Sequence, residues 1–234
     1  MKKSPEKDYL ETLSKISKAI TSDLYLEDIL KLIVKLTASV MNAKICSLWL
    51  LDEETNELKI RATQAMSEEY LKERSLKVGE GIVGAVAREK KPLAISNVLE
   101  DERYKEKELA KKEKLVSMLS VPMLVKNKAV GVINLYTVKP YEFVKTDIDL
   151  LSTVANQAAV AIENTELMVK TKVIQEELET RKKVERAKGI LMKEQGLSEE
   201  AAYKLMRQSS MNKRVSMKEI AEAIILSYEI SGRK

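Results

Sequence analysis

ERAKGILMKEQGLSEEAAYKLMRQSSM, the stretch Glu185–Met211, reads as the end of one helix, a turn and a second helix. Ile190, Leu191, Leu197, Ala201, Ala202, Leu205 and Met206 recur at close to helical spacing, and Lys188, Lys193, Lys204 and Arg207 place cationic heads between them. Gly196 ends the first helix, since a glycine adopts the left-handed conformation without a Cβ clash. Ser198 is placed to cap the second helix, with Glu199 and Glu200 favourable in its first turn. Gly189 sits inside a helix, where it costs about 1 kcal/mol relative to alanine. Something is therefore expected to approach the backbone there, either a packed helix or a ligand.

Upstream the helical pattern runs back without a break to Asp147, with Thr146 as a cap, through Ile148, Leu150, Leu151, Val154, Ala158, Ala161 and Ile162. A helix from Asp147 to Glu194 would be roughly 70 Å long at about 1.5 Å per residue. Ile162, Val173 and Val184 recur every 11 residues, as do Ala158, Val169, Thr180 and Leu191, with Leu167 and Leu178 alongside. That spacing holds a stripe on a nearly straight helix and favours a parallel partner, most simply a second copy of the chain. The alternative is a helix folded back on its own sheet, but Lys170 to Lys183 is too charged for a core. Downstream, Met211 to Ser216 forms a basic turn. Ser216 and Glu219 make a capping box for a last helix presenting Met217, Ile220, Ala221, Ile224, Ile225 and Tyr228.

The N-terminal part mixes both periods. Leu10, Leu13, Ile16 and Ile20 share one helical face, and a second helix follows from Leu26, capped by Asp23 or Thr21. Strands are expected over Ala43–Leu51, Leu58–Ala65, Leu93–Val98, Ser117–Val125 and Ala129–Val138, the last two joined by the tight connection Lys126-Asn127-Lys128. Pro122 donates no ladder hydrogen bond, so it marks an edge, a bulge or a turn toward a cavity. The charged segment Leu99 to Lys114 is expected as a mobile loop or a short exposed helix. Gly79-Glu80-Gly81-Ile82-Val83-Gly84 fits the dinucleotide pattern Gly-x-Gly-x-x-Gly, but the preceding residues are polar and Pro92 stops the following helix early. The glycines are read as a tight turn into a short helix.

Composition narrows the function. With no histidine among 234 residues, imidazole metal sites, Ser-His-Asp catalysis, a phospho-accepting histidine and a haem axial histidine are excluded. No catalytic residues, no metal site and no cofactor are expected. The lone cysteine, Cys46, lies in an apolar run and reads as a core residue. No apolar run approaches the roughly 20 residues of a membrane span, and no signal-peptide core follows Met1, so a cytoplasmic protein with no membrane partner is expected. Residues 170–234 hold 15 Lys and Arg against 10 Asp and Glu, whereas residues 1–169 hold 26 of each. The positive excess belongs to the C-terminal part, where a polyanion would bind.

Ala187-Lys188-Gly189-Ile190-Leu191-Met192, followed by Gly196, Glu200, Ala202-Tyr203, Leu205, Arg207 and Met211, resembles an ANTAR domain from about Arg181 to Ile230. Ala201 and Ser210 depart from that pattern. The resemblance implies a bacterial antitermination regulator that binds paired hairpins in nascent mRNA leaders. Lysines and arginines supply phosphate affinity, and unstacked loop bases are read by stacking and short-range donors. On that footing the RNA-binding candidates are Lys188, Gly189, Lys193, Tyr203, Arg207, Lys213 and Arg214; Gly189, Tyr203, Met192 and Met211 fit helix packing equally.

Val78-Gly79-Glu80-Gly81-Ile82-Val83-Gly84, Lys91-Pro92-Leu93, Ser117 to Met123 and Val130 to Leu135 resemble a GAF domain from about Asp23 to Leu167. That implies a sensor with a small-molecule ligand in a pocket between sheet and crossing segment, or a dimerisation module. No histidine serves a haem, Cys46 is not placed for a bilin, and the cyclic-nucleotide signature is degraded at Leu135 and Ile148. The ligand pocket residues stay unassigned.

The expected architecture is α+β: a GAF-like antiparallel sheet with flanking helices, a long helical stalk and a C-terminal three-helix ANTAR unit. The divisions are an N-terminal helix (1–22), a GAF sensor domain (23–167), a coiled-coil linker (168–184) and an ANTAR RNA-binding domain (185–234). The function expected is a ligand-responsive, homodimeric transcription antiterminator and not an enzyme; the alternative is a protein–protein signalling adaptor with no RNA target.

Overall fold

The structure, a computed structural model, describes residues 5–22, 24–65 and 74–232. Two compact units divide the chain, Met1–Thr165 and Glu166–Lys234. The first opens with helices α1 (Pro5–Ile20) and α2 (Leu26–Val40) and strands β1 (Ile45–Asp52), β2 (Glu57–Thr63) and β3 (Ser75–Lys77). Helix α3 (Gly81–Glu89), strand β4 (Leu93–Ile95), helix α4 (Lys107–Glu113) and strands β5 (Met118–Val125) and β6 (Lys128–Tyr136) follow. Helix α5 (Lys145–Gln195) begins in this unit and ends in the second, which adds α6 (Glu199–Lys213) and α7 (Met217–Ile230). The fold class is α+β, as expected.

The sheet runs β3-β2-β1-β6-β5-β4 with every neighbouring pair antiparallel. Alternation along each strand sends side chains to two cores, because successive residues face opposite sides. Cys46, Leu48, Leu119, Val121, Ile133 and Leu135 pack with α1, α2 and the start of α5. Ile45, Trp49, Met118, Val132 and Tyr136 pack with α3 and α4. Both faces are covered, which is why these strands read as nearly continuous apolar runs. Cys46 is fully buried and desolvation pushes its thiol far up, so it is an inert core residue.

Five expected strands are present with shifted ends; β3 was missed. Its sequence, Ser75-Leu76-Lys77, carries one apolar residue, and its pairing to Glu57–Lys59 of β2 is set by tertiary context. Pro122 pairs with Val132 of β6, while β4 reaches only from Met118 to Ser120, so on its other side Pro122 meets no strand. A register shift follows at Met123/Leu124. The segment over Leu99 to Lys114 is not merely exposed: Tyr104 and Ala110 within it and Leu115 just after it enter the second core and fix α4. Three anchors among many charges gave no periodic signal.

Two caps differ. Thr21 donates to Ser17 and Lys18 carbonyls instead of capping α2, whose N-cap is Tyr25 without a side-chain bond; Asp23 lies outside the described residues. At α5 the carboxylate of Asp147, not Thr146, reaches back, accepting from the Val144 amide and the Tyr141 hydroxyl at 3.0 Å each. That partner raises the Tyr141 hydroxyl pKa.

In the second unit, Ala187, Leu191, Ala202, Met206, Ile220 and Ala221 form one small core shared by α5, α6 and α7. The 11-residue stripe therefore is not one free seam. Ala158 and Ile162 are buried in the first unit and Leu191 in the second, each inside its own core, while Val169 and Val173 are exposed. A different stripe is open in the second unit: Leu167, Ile174 and Leu178 are 51%, 63% and 52% exposed, spaced 7 and 4 with Thr171 between. Among the described residues, no helix is long and apolar enough to cross a membrane.

Candidate nucleic-acid interface

The C-terminal unit is built from its caps inward. Gly196 (φ +67°) ends α5, and Ser198 Oγ accepts from the Ala201 amide at 3.2 Å to start α6. Arg214, at φ 54°, ends α6 in the left-handed region that usually takes glycine or asparagine. Ser216 and Glu219 form the expected capping box on α7. Ser210 donates to the Val215 carbonyl at 2.6 Å, so this departure from the family pattern closes the turn between α6 and α7.

Ion pairs tie the three helices. Lys183 meets Glu222 at 2.6 Å and Arg186 meets Glu229 at 2.8 Å, joining α5 to α7. Lys188 meets Glu199 at 2.7 Å and Glu185 at 2.9 Å, joining α5 to α6. Lys193 Nζ donates to the Tyr228 hydroxyl at 3.3 Å and lies 6.0 Å from that ring's centroid. Lys204, Arg207, Lys213 and Arg214 are exposed and make no ion pair among the described residues.

In the N-terminal unit the face toward α3 and α4 carries three fully buried polar residues, Ser47, Ser120 and Asn134. Ser120 Oγ and Asn134 Oδ1 are 2.7 Å apart, and Trp49 Nε1 donates to Ser47 Oγ at 3.3 Å. Arg74 lies 5.6 Å from the Trp49 ring centroid and pairs with Glu106 at 2.5 Å. Trp49, Tyr104 and Tyr136 belong to the apolar cluster on that side of the sheet, with the two tyrosine rings edge to face at 6.5 Å.

A GAF domain model matches residues 24–163 and an ANTAR domain model residues 172–225. The chain is a GAF protein with a C-terminal ANTAR domain. Transcriptional regulatory protein PdtaR of Mycobacterium tuberculosis, in two strains, is 36% identical over 90 residues, covering 38% of this chain. The match spans 42% of the length of those relatives. The GAF domain of an Acinetobacter phosphoenolpyruvate-protein phosphotransferase is 26% identical with a TM-score of 0.60, covering 69% of this chain and 97% of its own. Its counterpart from Coxiella burnetii (22%, TM-score 0.65, 72% and 99%) and free methionine-R-sulfoxide reductase from Neisseria meningitidis (16%, 0.60, 68% and 91%) share the fold.

Within the ANTAR domain the seven candidates fall into distinct places. Tyr203 and Arg207 lie one turn apart on an exposed face of α6 that continues to Met211; Tyr203 is 45% and Met211 71% exposed. Lys213 and Arg214 stand at the end of that helix. Lys193 is engaged by Tyr228 on α7. Lys188 departs most from a free cation: its side chain is 10% exposed between two carboxylates, which raise its pKa. Sequence reasoning left Lys204 out of the set although it is open on α6; its spacing of three from Arg207 was the available signal.

Gly189 is exposed, and an added Cβ would meet nothing within 4 Å, so no packed helix explains this glycine. Gly189→Ala is expected to stabilise the domain by about 1 kcal/mol in thermal melting. If it weakens RNA binding at the same time, the glycine serves ligand approach; unchanged binding would remove it from the interface.

The carboxylates give the domain an acid limb. Lys188 holds the Glu199 carboxyl below its ordinary 4.5, Lys183 does so for Glu222, and the Ser216 amide and hydroxyl for Glu219. Their contribution is present above pH 4.5, where the unfolded chain is also ionised, and is lost as pH falls through the lower folded values. Lys183 and Lys188, raised above 10.5, contribute below that pH and lose it only as pH rises through their folded values. The helical melting midpoint should hold steady from neutral pH to about 4.5 and fall below it. In Glu199→Gln the fall should be shallower; an identical acid limb would remove Glu199 from this account.

Proposed function

We propose that this chain is an RNA-binding transcription antiterminator in which two ANTAR domains, brought together by a parallel pairing of α5, grip paired hairpins of a nascent mRNA leader. The observation that carries the reading is the set of uncompensated cations on α6, in a domain whose model matches the chain. Lys204, Arg207, Lys213 and Arg214 offer sequence-independent phosphate affinity, and Tyr203 beside Arg207 offers a stacking face. The PdtaR relatives, named as transcriptional regulators, support the same direction.

The open stripe Leu167, Thr171, Ile174, Leu178 supports the dimer. Its spacing of 4, 3 and 4 is the alternation of a two-stranded coiled coil, and Glu177 and Lys182 flank it where a parallel partner would pair opposite charges. In this reading the GAF domain is a sensor or dimerisation module and the divisions are 1–22, 23–167, 168–184 and 185–234. The protein works in the cytoplasm and is not an enzyme; the reductase neighbour shares the fold alone.

The test is fluorescence anisotropy at fixed salt with a transcript carrying two short hairpins and an unrelated stem of equal charge. Tighter binding to the paired hairpins is expected, and over a series of salt concentrations Arg214→Ala should reduce the slope of log affinity against log salt by about one. Equal affinity for both RNAs would refute the specific reading, and a nuclease-insensitive protein partner would then favour the adaptor.

A further inference from the structure

Gly189 is left without a reason inside its own chain. It interrupts α5 at a cost of about 1 kcal/mol relative to alanine, it is exposed, and a Cβ built on it meets nothing within 4 Å. Its place on the helix is informative. Ala187 and Leu191 face the small core shared with α6 and α7, whereas Gly189 comes 11 residues after Leu178, which itself comes 11 after Leu167. Eleven residues make three turns of a straight helix with a drift of about 20°, so Leu167, Leu178 and Gly189 share one side of α5. Met192, one turn beyond, lies on that side as well and is 39% exposed.

The surroundings of Gly189 do not suit a phosphate backbone. Lys188 is clamped by Glu185 and Glu199, Arg186 is held by Glu229 and Lys193 by the Tyr228 hydroxyl. The Glu185 side chain, 56% exposed, adds negative charge on the same side. The open cations Lys204, Arg207, Lys213 and Arg214 belong to α6.

We infer that Gly189 is the point at which two ANTAR domains touch: the paired α5 helices of a dimer run on past Leu178, and the α5 of a second copy comes against the bare backbone of Gly189 and the side chain of Met192. The inference rests on the dimer proposed above and extends its contact into the ANTAR domain. A position with no side chain lets two backbones approach closely, which offsets what glycine costs in the single helix. Met192 supplies apolar surface beside it. Around Leu178, Glu177 and Lys182 are exposed, opposite in charge and five residues apart, which is the g-to-e′ spacing across two parallel helices, so this charged stretch pairs with its copy instead of repelling it. Helices α6 and α7 pack on the other side of α5, so the contact leaves the α6 cations of both chains open. It also holds the two cationic faces at a fixed separation, which a dimer joined only along the stalk would not do.

Disulfide trapping tests this on the full chain, because the native Cys46 is fully buried and adds no background. A disulfide needs its two Cα atoms within about 7 Å. Leu178→Cys, Gly189→Cys and Leu226→Cys, the last on the exposed surface of α7, are oxidised in a glutathione buffer and resolved on non-reducing gels. We expect covalent dimers in similar yield from Leu178→Cys and Gly189→Cys, while Leu226→Cys stays monomeric. Trapping at Leu178 without trapping at Gly189 would overturn the inference and leave the dimer standing. Trapping at neither would remove the dimer reading and the inference with it, and equal trapping at Leu226 would mark random collision and overturn it too. Gly189→Leu separates a second copy from RNA as the occupant: leucine suits the helix but blocks close approach, so dimer affinity in sedimentation should fall about tenfold while affinity for a single hairpin is unchanged. Weaker single-hairpin binding with an unchanged dimer would seat RNA at Gly189 and overturn the inference. The gain expected for Gly189→Ala belongs to the single chain, and is read by melting at concentrations below dimer dissociation.

Discussion

Leu167→Lys combined with Ile174→Lys is expected to convert the proposed dimer to a 26.5 kDa monomer and to weaken binding to a two-hairpin transcript by about 10²–10⁴-fold. Both residues are more than half exposed within the single chain, so neither unit loses core packing and the melting curve should hardly change. What is lost is the second, linked contact. Once one ANTAR domain holds a hairpin, the other acts at a high effective concentration only if the two chains are joined. The variant should therefore bind a single hairpin as the wild type does. Sedimentation of the wild type as a monomer, or a dimer that survives both lysines, would dismiss this seam.

The second large effect concerns the GAF sheet. Gly131→Ala would place a Cβ against the Trp49 carbonyl oxygen on the paired strand and the end of the Met123 side chain. The Met123 side chain can move; the Trp49 backbone cannot move without parting β1 from β6 in the middle of the sheet. Gly84→Ala meets a similar obstacle, the Lys77 carbonyl and the Gly79 backbone, where α3 presses on the turn after β3. Each is expected to cost about 3 kcal/mol or more, at the upper end for overpacking, and to lower the thermal midpoint by roughly 10 °C. Gly189→Ala should move it the other way. A melt in which all three alanines behave alike would contradict the packing described at these positions.

The contrast among these glycines shows what the sequence discloses. The Gly-x-Gly-x-x-Gly stretch was legible as a turn into a short helix because Pro92 and the polar residues before it ruled out a nucleotide-binding unit. That Gly84 is demanded by a neighbouring carbonyl needed the fold. Gly189 read in the sequence as the approach of either a packed helix or a ligand, and its open surroundings remove the first within the single chain. Strands with both faces buried were legible as apolar runs, but β3 was not, since three residues with one leucine carry no period and owe their pairing to β2.

At the interface, the caps Gly196, Ser198 and Ser216 with Glu219 were legible because each is a local pattern of a few residues. The fate of individual cations was not. Lys188 and Lys204 look alike in the sequence, yet one is clamped by Glu185 and Glu199 and the other is open, because Glu199 comes from the next helix. The stalk gave a period of eleven, whereas the open residues Leu167, Ile174 and Leu178 are spaced 7 and 4. The longer period mixes residues buried in each unit with residues open in between, and only burial separates them.

The most direct measurement is the composition of the complex by native mass spectrometry, with the full chain in excess over a transcript bearing two short hairpins. Two chains on each transcript, and none on a stem of equal charge under the same salt, is the predicted result. A single chain per transcript, or equal loading of both RNAs, would contradict the claim that paired ANTAR domains recognise paired hairpins.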